Sequence, residues 1–379
     1  MADYFHGVDG LGGIQKTHTH FFPKDPWEDL FDFPPEESVI SATARQTTKT
    51  GEPNPHLFTP SNEEACEVIL SLLAKHPPNT ISIIAVGPLT NIALCAAKDP
   101  ATLCRAKELV VMGGALSVPG NITPLAEFNV YADAFAAATV FSFSSPIPAS
   151  TKPPLPPIPK EDSEYNKRLR DLAGALPPAL PSDRRLNIIL FPLDCTDQHE
   201  LYRKDYQART SHLLQKGSPL AEWHSAFMKH AFQKMETLHT GHTQDATFIV
   251  LHDALCVWYA LDASRRGITS TQKPVSQHGE TIKDWQFRPN ERTWRLSPPS
   301  DIRVESAGQW SRGACIVDRR DRKPEVELQF EADALGPRIG DDGAWLSDKR
   351  GNRIRVCVGT PGKKVFEDIL WGRIFDAKR

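Results

Sequence analysis

Short apolar runs alternate along this chain with stretches whose apolar residues recur at helical spacing. Thr80–Val86 (TISIIAV) reads as a buried strand from its β-branched run, and Glu108–Met112, Leu186–Leu193 (LNIILFPL) and Arg353–Val358 read as strands from apolar runs too short for helices. Between them lie helical patterns. Ser61 and Glu64 form a capping box ahead of a stripe of Ala65, Val68, Ile69, Leu72 and Leu73. Gly87–Asn91 turns the chain into a helix over Ile92–Ala97, and the segment after Met112 runs through a polar loop into a helix ending near Phe143. Trp223–Met235 is amphipathic, and Lys363–Ile374 is a closing helix. Ile302–Glu305 and Ala314–Asp318 are shorter strand-like runs. This alternation predicts βαβ units: an α/β fold with an open, mostly parallel sheet and helices on both faces. The strands at 80–86, 108–112 and 186–193 are expected to be parallel neighbours.

Two stretches break the pattern. Residues 145–185 hold many of the 32 prolines and cannot form a core element; a short helix near Tyr165–Ala173 is their one regular feature. Residues 319–352 are charged and Gly-rich. Both read as surface insertions, at about 145–185 and 319–352, in a single domain covering 1–379. A proline-rich segment also suits an SH3-like partner, but a solvated insertion is the preferred reading. Residues 17–60, rich in His, Pro and Asp, read as irregular surface.

Composition narrows the class. With 379 residues, 40% of them hydrophobic, the chain can build a sizeable core. A net charge of −3 gives no general attraction to nucleic acid or to an anionic membrane. No apolar run approaches the ~20 residues of a membrane helix, and MADYFHGVDGLGG lacks the plan of a signal peptide. Seven scattered cysteines, without a CxxC pair, point to reduced thiols in the cytoplasm rather than disulfides or a zinc site.

The candidate chemistry centres on Gly120–Ala137, GNITPLAEFNVYADAFAA, which places Asn121, Glu127, Asn129 and Asp133 at the exit of the Glu108–Met112 strand. Open α/β sheets bind ligands at such exits. Amides and carboxylates there can grip several hydroxyls of one small polar ligand. Each residue alone reads first as a turn or N-cap residue; the set reads as a site. His252 and Asp253 interrupt the apolar run Ala246–Ala263, which titratable groups do only when paired or bound to something. A structural His–Asp pair is the alternative. The Val86 carbonyl, at a strand end before Gly87, suits a hard cation or is an ordinary strand terminus. His6 could reach a ligand or cap its loop, and Asp9 is a turn residue.

HGVDGLGG (6–13), AVGPLTNIA (85–93), VVMGGAL (110–116), GNITPLAEFNVYADAFAA (120–137), FPLDCT (191–196), LHDA (251–254) and VESAGQWSRGACIVDRR (304–320) together resemble the inosine/uridine-preferring nucleoside hydrolases, with a fungal uridine ribohydrolase-like character. The resemblance implies hydrolysis of the N-glycosidic bond of ribonucleosides to ribose and free base. It implies Ca2+, held by the Val86 carbonyl and Asp253. It gives ribose contacts to Asn121, Glu127 and Asn129, with Met112 lining the same pocket. His252 matches the residue near the leaving base, and His6 lies close to the base pocket. A ribonucleoside is then the partner, with no nucleic acid or membrane, and homo-oligomers are compatible with it.

One departure is large. The family opens with a strand ending in DxDxxxDD, the source of its catalytic base and most calcium carboxylates. No such cluster occurs here, and Asp341–Asp342 follow no apolar strand. The expectation is therefore a member truncated at its N-terminus and impaired in catalysis. The rival is a catalytically inactive nucleoside- or ribose-binding relative, or an interaction protein.

Overall fold

The computed structural model describes residues 3–21, 61, 63–154, 184–241, 243–266, 293–320, 341–347 and 349–375. The chain divides into two compact units, Met1–Glu64 with Tyr202–Ile249, and Ala65–Leu201 with Val250–Arg379. The strands in chain order are β1 (Ser82–Ala85), β2 (Glu108–Met112), β3 (Ile188–Phe191), β4 (Glu200–Tyr202), β5 (Phe248–Val250), β6 (Arg295–Leu296), β7 (Ile302–Val304), β8 (Cys315–Val317) and β9 (Ile354–Gly359).

The second unit is built on a five-stranded sheet of order β1-β2-β3-β9-β6. The first four strands are parallel, with Ala85 opposite Val111 and Met112 opposite Phe191. Only β6 runs antiparallel, against β9. Successive strand residues point to opposite faces, and both faces are buried. Leu109, Val111, Ile188, Leu190 and Val356 join a core with Cys95, Ala136 and Val140 from helices Thr90–Lys98 and Ala134–Ser142. Val110, Met112, Ile189, Phe191 and Cys357 join the opposite core with Leu255 and Tyr259 of helix His252–Arg266 and Phe366 of helix Lys363–Phe375. Two covered faces explain why these strands read as unbroken apolar runs. The β7–β8 hairpin packs beside helix Ala134–Ser142.

Some local expectations shift. The helix expected to begin with a Ser61–Glu64 box starts at Ala65, and Ser61 Oγ accepts from Glu63 N instead. Its buried face is Cys66, Leu70 and Leu73, while Leu72 is 45% exposed. The apolar run 246–263 is a short strand and a helix, with His252 at the helix start. Residues 155–183, which include the expected 165–173 helix, and residues 321–340 lie outside the described residues, as do 22–60. The described flanks pack together: Thr151 Oγ1 donates to Asn352 Oδ1, and Gly351 N to Ser150 Oγ.

The first unit carries the HGVDGLGG loop. The Asp9 carboxylate accepts from the backbone N–H groups of Leu11, Gly13 and Gln15. Burial would raise its pKa, but those amides together hold it below the usual carboxylate value. Asp9 is thus the turn residue expected. In the same unit helix Pro219–Leu238 places His230 Nε2 3.1 Å from the Phe5 carbonyl.

Each unit also holds a neutral, at least partly buried imidazole. His224, beside the Tyr206 hydroxyl, and His199, beside Thr360, are both pushed down to about 4, chiefly by burial. Lowered native pKa values mean that the unfolded chain takes up protons that the native chain refuses, between pH 6.5 and 4. Stability is therefore complete above about pH 6.5 and falls below it. The melting temperature should drop between pH 7.5 and pH 5, each histidine contributing about 2 kcal/mol. His199→Gln should flatten the pH dependence of the second unit's transition.

Candidate active site at the carboxyl edge of the sheet

The parallel strands β1, β2 and β3 end at one edge, and the chain leaves each end with polar groups. Val86 follows β1, is 39% exposed, and stands one residue beyond the Ala85–Val111 pair, level with Met112. From Met112 the chain turns at Gly113–Gly114. Gly114 has φ +83°, and a Cβ there would lie 2.9 Å from Cys315 Sγ, so only glycine fits.

The loop from Gly113 to Ala126 folds back on itself, with Gly120 N donating to the Pro124 carbonyl and Ile122 N to that of Ala126. Helix Phe128–Ala132 then begins. Its first three N–H groups are all satisfied by side chains. Asn121 Oδ1 accepts from Phe128 N at 2.8 Å, Glu127 Oε1 from Asn129 N at 2.8 Å, and Glu127 Oε2 from Val130 N at 3.1 Å. Glu127 Oε2 also accepts from Gly114 N at 2.9 Å. Glu127 is 1% exposed. Burial raises its pKa, the three amides oppose that, and nearby Asp253 adds to the rise. Asn129 Nδ2 donates to the Met112 carbonyl at 3.1 Å and lies 3.3 Å from Met112 Sδ. Asp133 caps the next helix through Ala136 N and receives the Thr90 hydroxyl, a purely structural use.

Met112, Glu127 and Asn129 thus form one hydrogen-bonded group, Asn121 caps the same helix start, and Asp253 is close enough to act on Glu127 electrostatically. His252 begins a helix packed on β1 and β2. Its Nδ1 lies 2.8 Å from Thr196 Oγ1. Burial pushes the imidazole down to about 4, so near neutral pH it carries no charge. His6 belongs to the other unit, where it ends the helix Asp3–His6 and its carbonyl accepts from Gly12 N.

Sequence reasoning gave no role to three residues. Asp194, just past β3, accepts from Leu116 N at 2.8 Å and Ser117 N at 2.7 Å. Arg319 donates to the Leu116 carbonyl and to Ser117 Oγ. Thr196 holds His252. Each lies in a motif block, FPLDCT or VDRR, but nothing local says what it touches.

A calcium ion takes 6–8 oxygens. Among the described residues, no group of three or more His, Cys, Asp or Glu is placed to hold a metal ion. Glu127 has given its oxygens to amides, leaving the Val86 carbonyl and Asp253 as expected donors. The described residues do not by themselves fit a calcium site.

The sequence profile described as inosine-uridine preferring nucleoside hydrolase matches residues 1–366. The chain belongs to that family. Among nucleoside hydrolases it is similar to probable uridine nucleosidase 1 of Oryza sativa subsp. japonica, 35% identical over 142 residues, 38% of this chain and 32% of that protein. It is 44% identical over 80 residues to the inosine-uridine preferring nucleoside hydrolase of Leishmania major, 21% of this chain and 25% of that protein. The solved structure of a plant nucleoside hydrolase, the PpNRh1 enzyme, shares the fold, with a TM-score of 0.53 and 17% identity over 99% of this chain and 74% of that one. The matched stretches span about a third of the length of the curated relatives.

In this nucleoside hydrolase family member, Glu127 should be structurally costly to change. Glu127→Gln replaces an oxygen that faces backbone N–H with an NH2 group that repels it. Unfolding in urea should show a loss of about 2–3 kcal/mol. Asn121→Ala, removing one exposed cap, should cost about 1 kcal/mol.

Proposed function

We propose that this chain is a nucleoside N-ribohydrolase of the uridine/inosine type, acting at the carboxyl edge of its parallel sheet. The family match over residues 1–366 carries this reading. The amide faces of Asn121 and Asn129 that are not used internally meet ribose hydroxyls, with Met112 beneath them. Glu127 holds that frame and keeps one acceptor position on Oε1. His252 faces the base. The Val86 carbonyl and Asp253 are this chain's contributions toward a calcium ion. A cytoplasmic setting is supported by seven free, buried thiols, and no described helix is long and apolar enough to cross a membrane.

The residues act on different parts of one reaction. Cleavage of the bond between C1′ and the base nitrogen builds positive charge on the sugar, as in glycosidases, and negative charge on the departing base. Fixed amides orient the sugar without reorganising. A neutral imidazole serves the base as a hydrogen-bond donor rather than as an imidazolium acid. Positioning of this kind is within reach of the described residues; strong activation of water is not, since Asp253 is the one carboxylate assigned to the reacting side. Slow turnover with retained nucleoside binding is therefore the expected behaviour. The same observation favours the second reading, a catalytically inactive nucleoside-binding relative.

Uridine and inosine hydrolysis with added calcium separates the two. Weak release of ribose, lowered at least tenfold by Asp253→Ala and about 10- to 100-fold in kcat/KM by Asn129→Ala, supports the hydrolase. Uridine binding that Asn129→Ala weakens, with no ribose released, supports the binding protein. Absence of both binding and turnover would overturn the site.

A further inference from the structure

We propose that Thr196 is a positioning residue that holds His252 in the tautomer with its proton on Nε2. The proposal rests on the reading that His252 faces the departing base. Thr196 is fully buried, 0% exposed, and Oγ1 lies 2.8 Å from His252 Nδ1. Among the described residues neither that hydroxyl nor that imidazole has another hydrogen-bond partner.

A threonine hydroxyl has one hydrogen to donate, and a neutral imidazole has one N–H. Two arrangements satisfy the 2.8 Å contact. In the first, Nδ1–H donates to Oγ1, and the hydroxyl hydrogen is left buried with no acceptor. In the second, the hydroxyl donates to a bare Nδ1, its hydrogen is satisfied, and the N–H sits on Nε2, which is not among the buried unpartnered atoms of the described residues. A stranded buried donor disfavours the first by roughly ten- to a hundredfold. The second tautomer leaves Nε2–H free as a donor. A donor is what a nucleobase requires as it gathers negative charge on its nitrogen and carbonyl oxygens.

The threonine is itself rigidly placed. It closes the single turn Leu193–Thr196, where Thr196 N donates to the Pro192 carbonyl and His199 N to that of Thr196. The same turn carries Asp194, whose carboxylate grips Leu116 N and Ser117 N. One turn after β3 therefore sets both the loop leading to Asn121 and the tautomer of His252.

The test is 15N NMR of the full chain labelled at histidine, with His252→Gln used to assign the ring signals. The wild type should show an unprotonated Nδ1 and a protonated Nε2. Thr196→Val, which keeps the shape and removes the hydroxyl, should give a mixture of tautomers, and Thr196→Ser should restore the single form. Uridine affinity should fall about tenfold in Thr196→Val and stay within about twofold in Thr196→Ser. A wild-type ring protonated on Nδ1, or a Thr196→Val spectrum identical to the wild type, overturns the proposal. The wild-type spectrum decides it even if the valine variant does not fold. A single Nε2–H tautomer in a chain that binds no uridine would sink the base-facing role of His252 and not its orientation by Thr196.

Discussion

One buried carboxylate sets the geometry of the sheet's carboxyl edge. Glu127 holds Gly114 N, on the strand side of the loop, together with Asn129 N and Val130 N on the helix side. Each of those amides would otherwise be an orphaned donor, two of them at a helix N-terminus. The loop between is also held by its own local backbone bonds and by Leu193 N donating to the Gly114 carbonyl. It is also sterically committed, because a Cβ at Gly120 would lie 2.2 Å from the Ala126 carbonyl oxygen. Burial pulls the carboxylate toward its neutral form, while the amides and the positive end of the short helix favour the charge. Asp194 and Arg319 then fix the first part of the loop from opposite polarities, one taking two N–H groups and the other giving to the Leu116 carbonyl.

Elsewhere several titratable groups are held neutral by burial. The imidazoles of His199, His224 and His252 all sit near hydroxyls and are all depressed to about 4 by burial. All seven cysteines are buried as free thiols, and those of Cys95 and Cys104 are pushed up to about 12. A neutral imidazole beside a neutral hydroxyl costs little desolvation and gains a directional bond.

Much of this was legible in the sequence because it depends on local chemistry. Glu108–Met112 reads as a strand from its apolar run, and both its faces are covered, so the run is continuous. The parallel order of β1, β2 and β3 follows from the helices between them. The focal segment stands out because four amide and carboxylate residues fall within one turn and its loop. The start of helix Ala65–Lys75 was misplaced because Ser61 and Glu64 satisfy a capping pattern that the chain does not use there. β6 was missed because two residues of an antiparallel edge strand carry no period. The roles of Asp194, Thr196 and Arg319 were illegible for another reason. Each acts on a residue 56 to 203 positions away, which spacing cannot reveal.

The sequence offered two readings of Asn121 and Asn129, as caps or as ligand contacts, and the geometry makes them compatible. A primary amide has an oxygen that accepts and a nitrogen that donates. Asn121 spends its oxygen on Phe128 N, and Asn129 spends its nitrogen on the Met112 carbonyl. What remains is a donor on one residue and an acceptor on the other. A sugar hydroxyl needs both. The internal bond also fixes which end of each amide is left over, so capping pre-orients the groups that a ligand would meet. A cap that uses one end of an amide is thus a means of making the other end specific. The charged member of the trio works differently: Glu127, with three amides on two oxygens, has little left to offer and serves mainly by holding the Gly114 turn and the backbone of Asn129 in place.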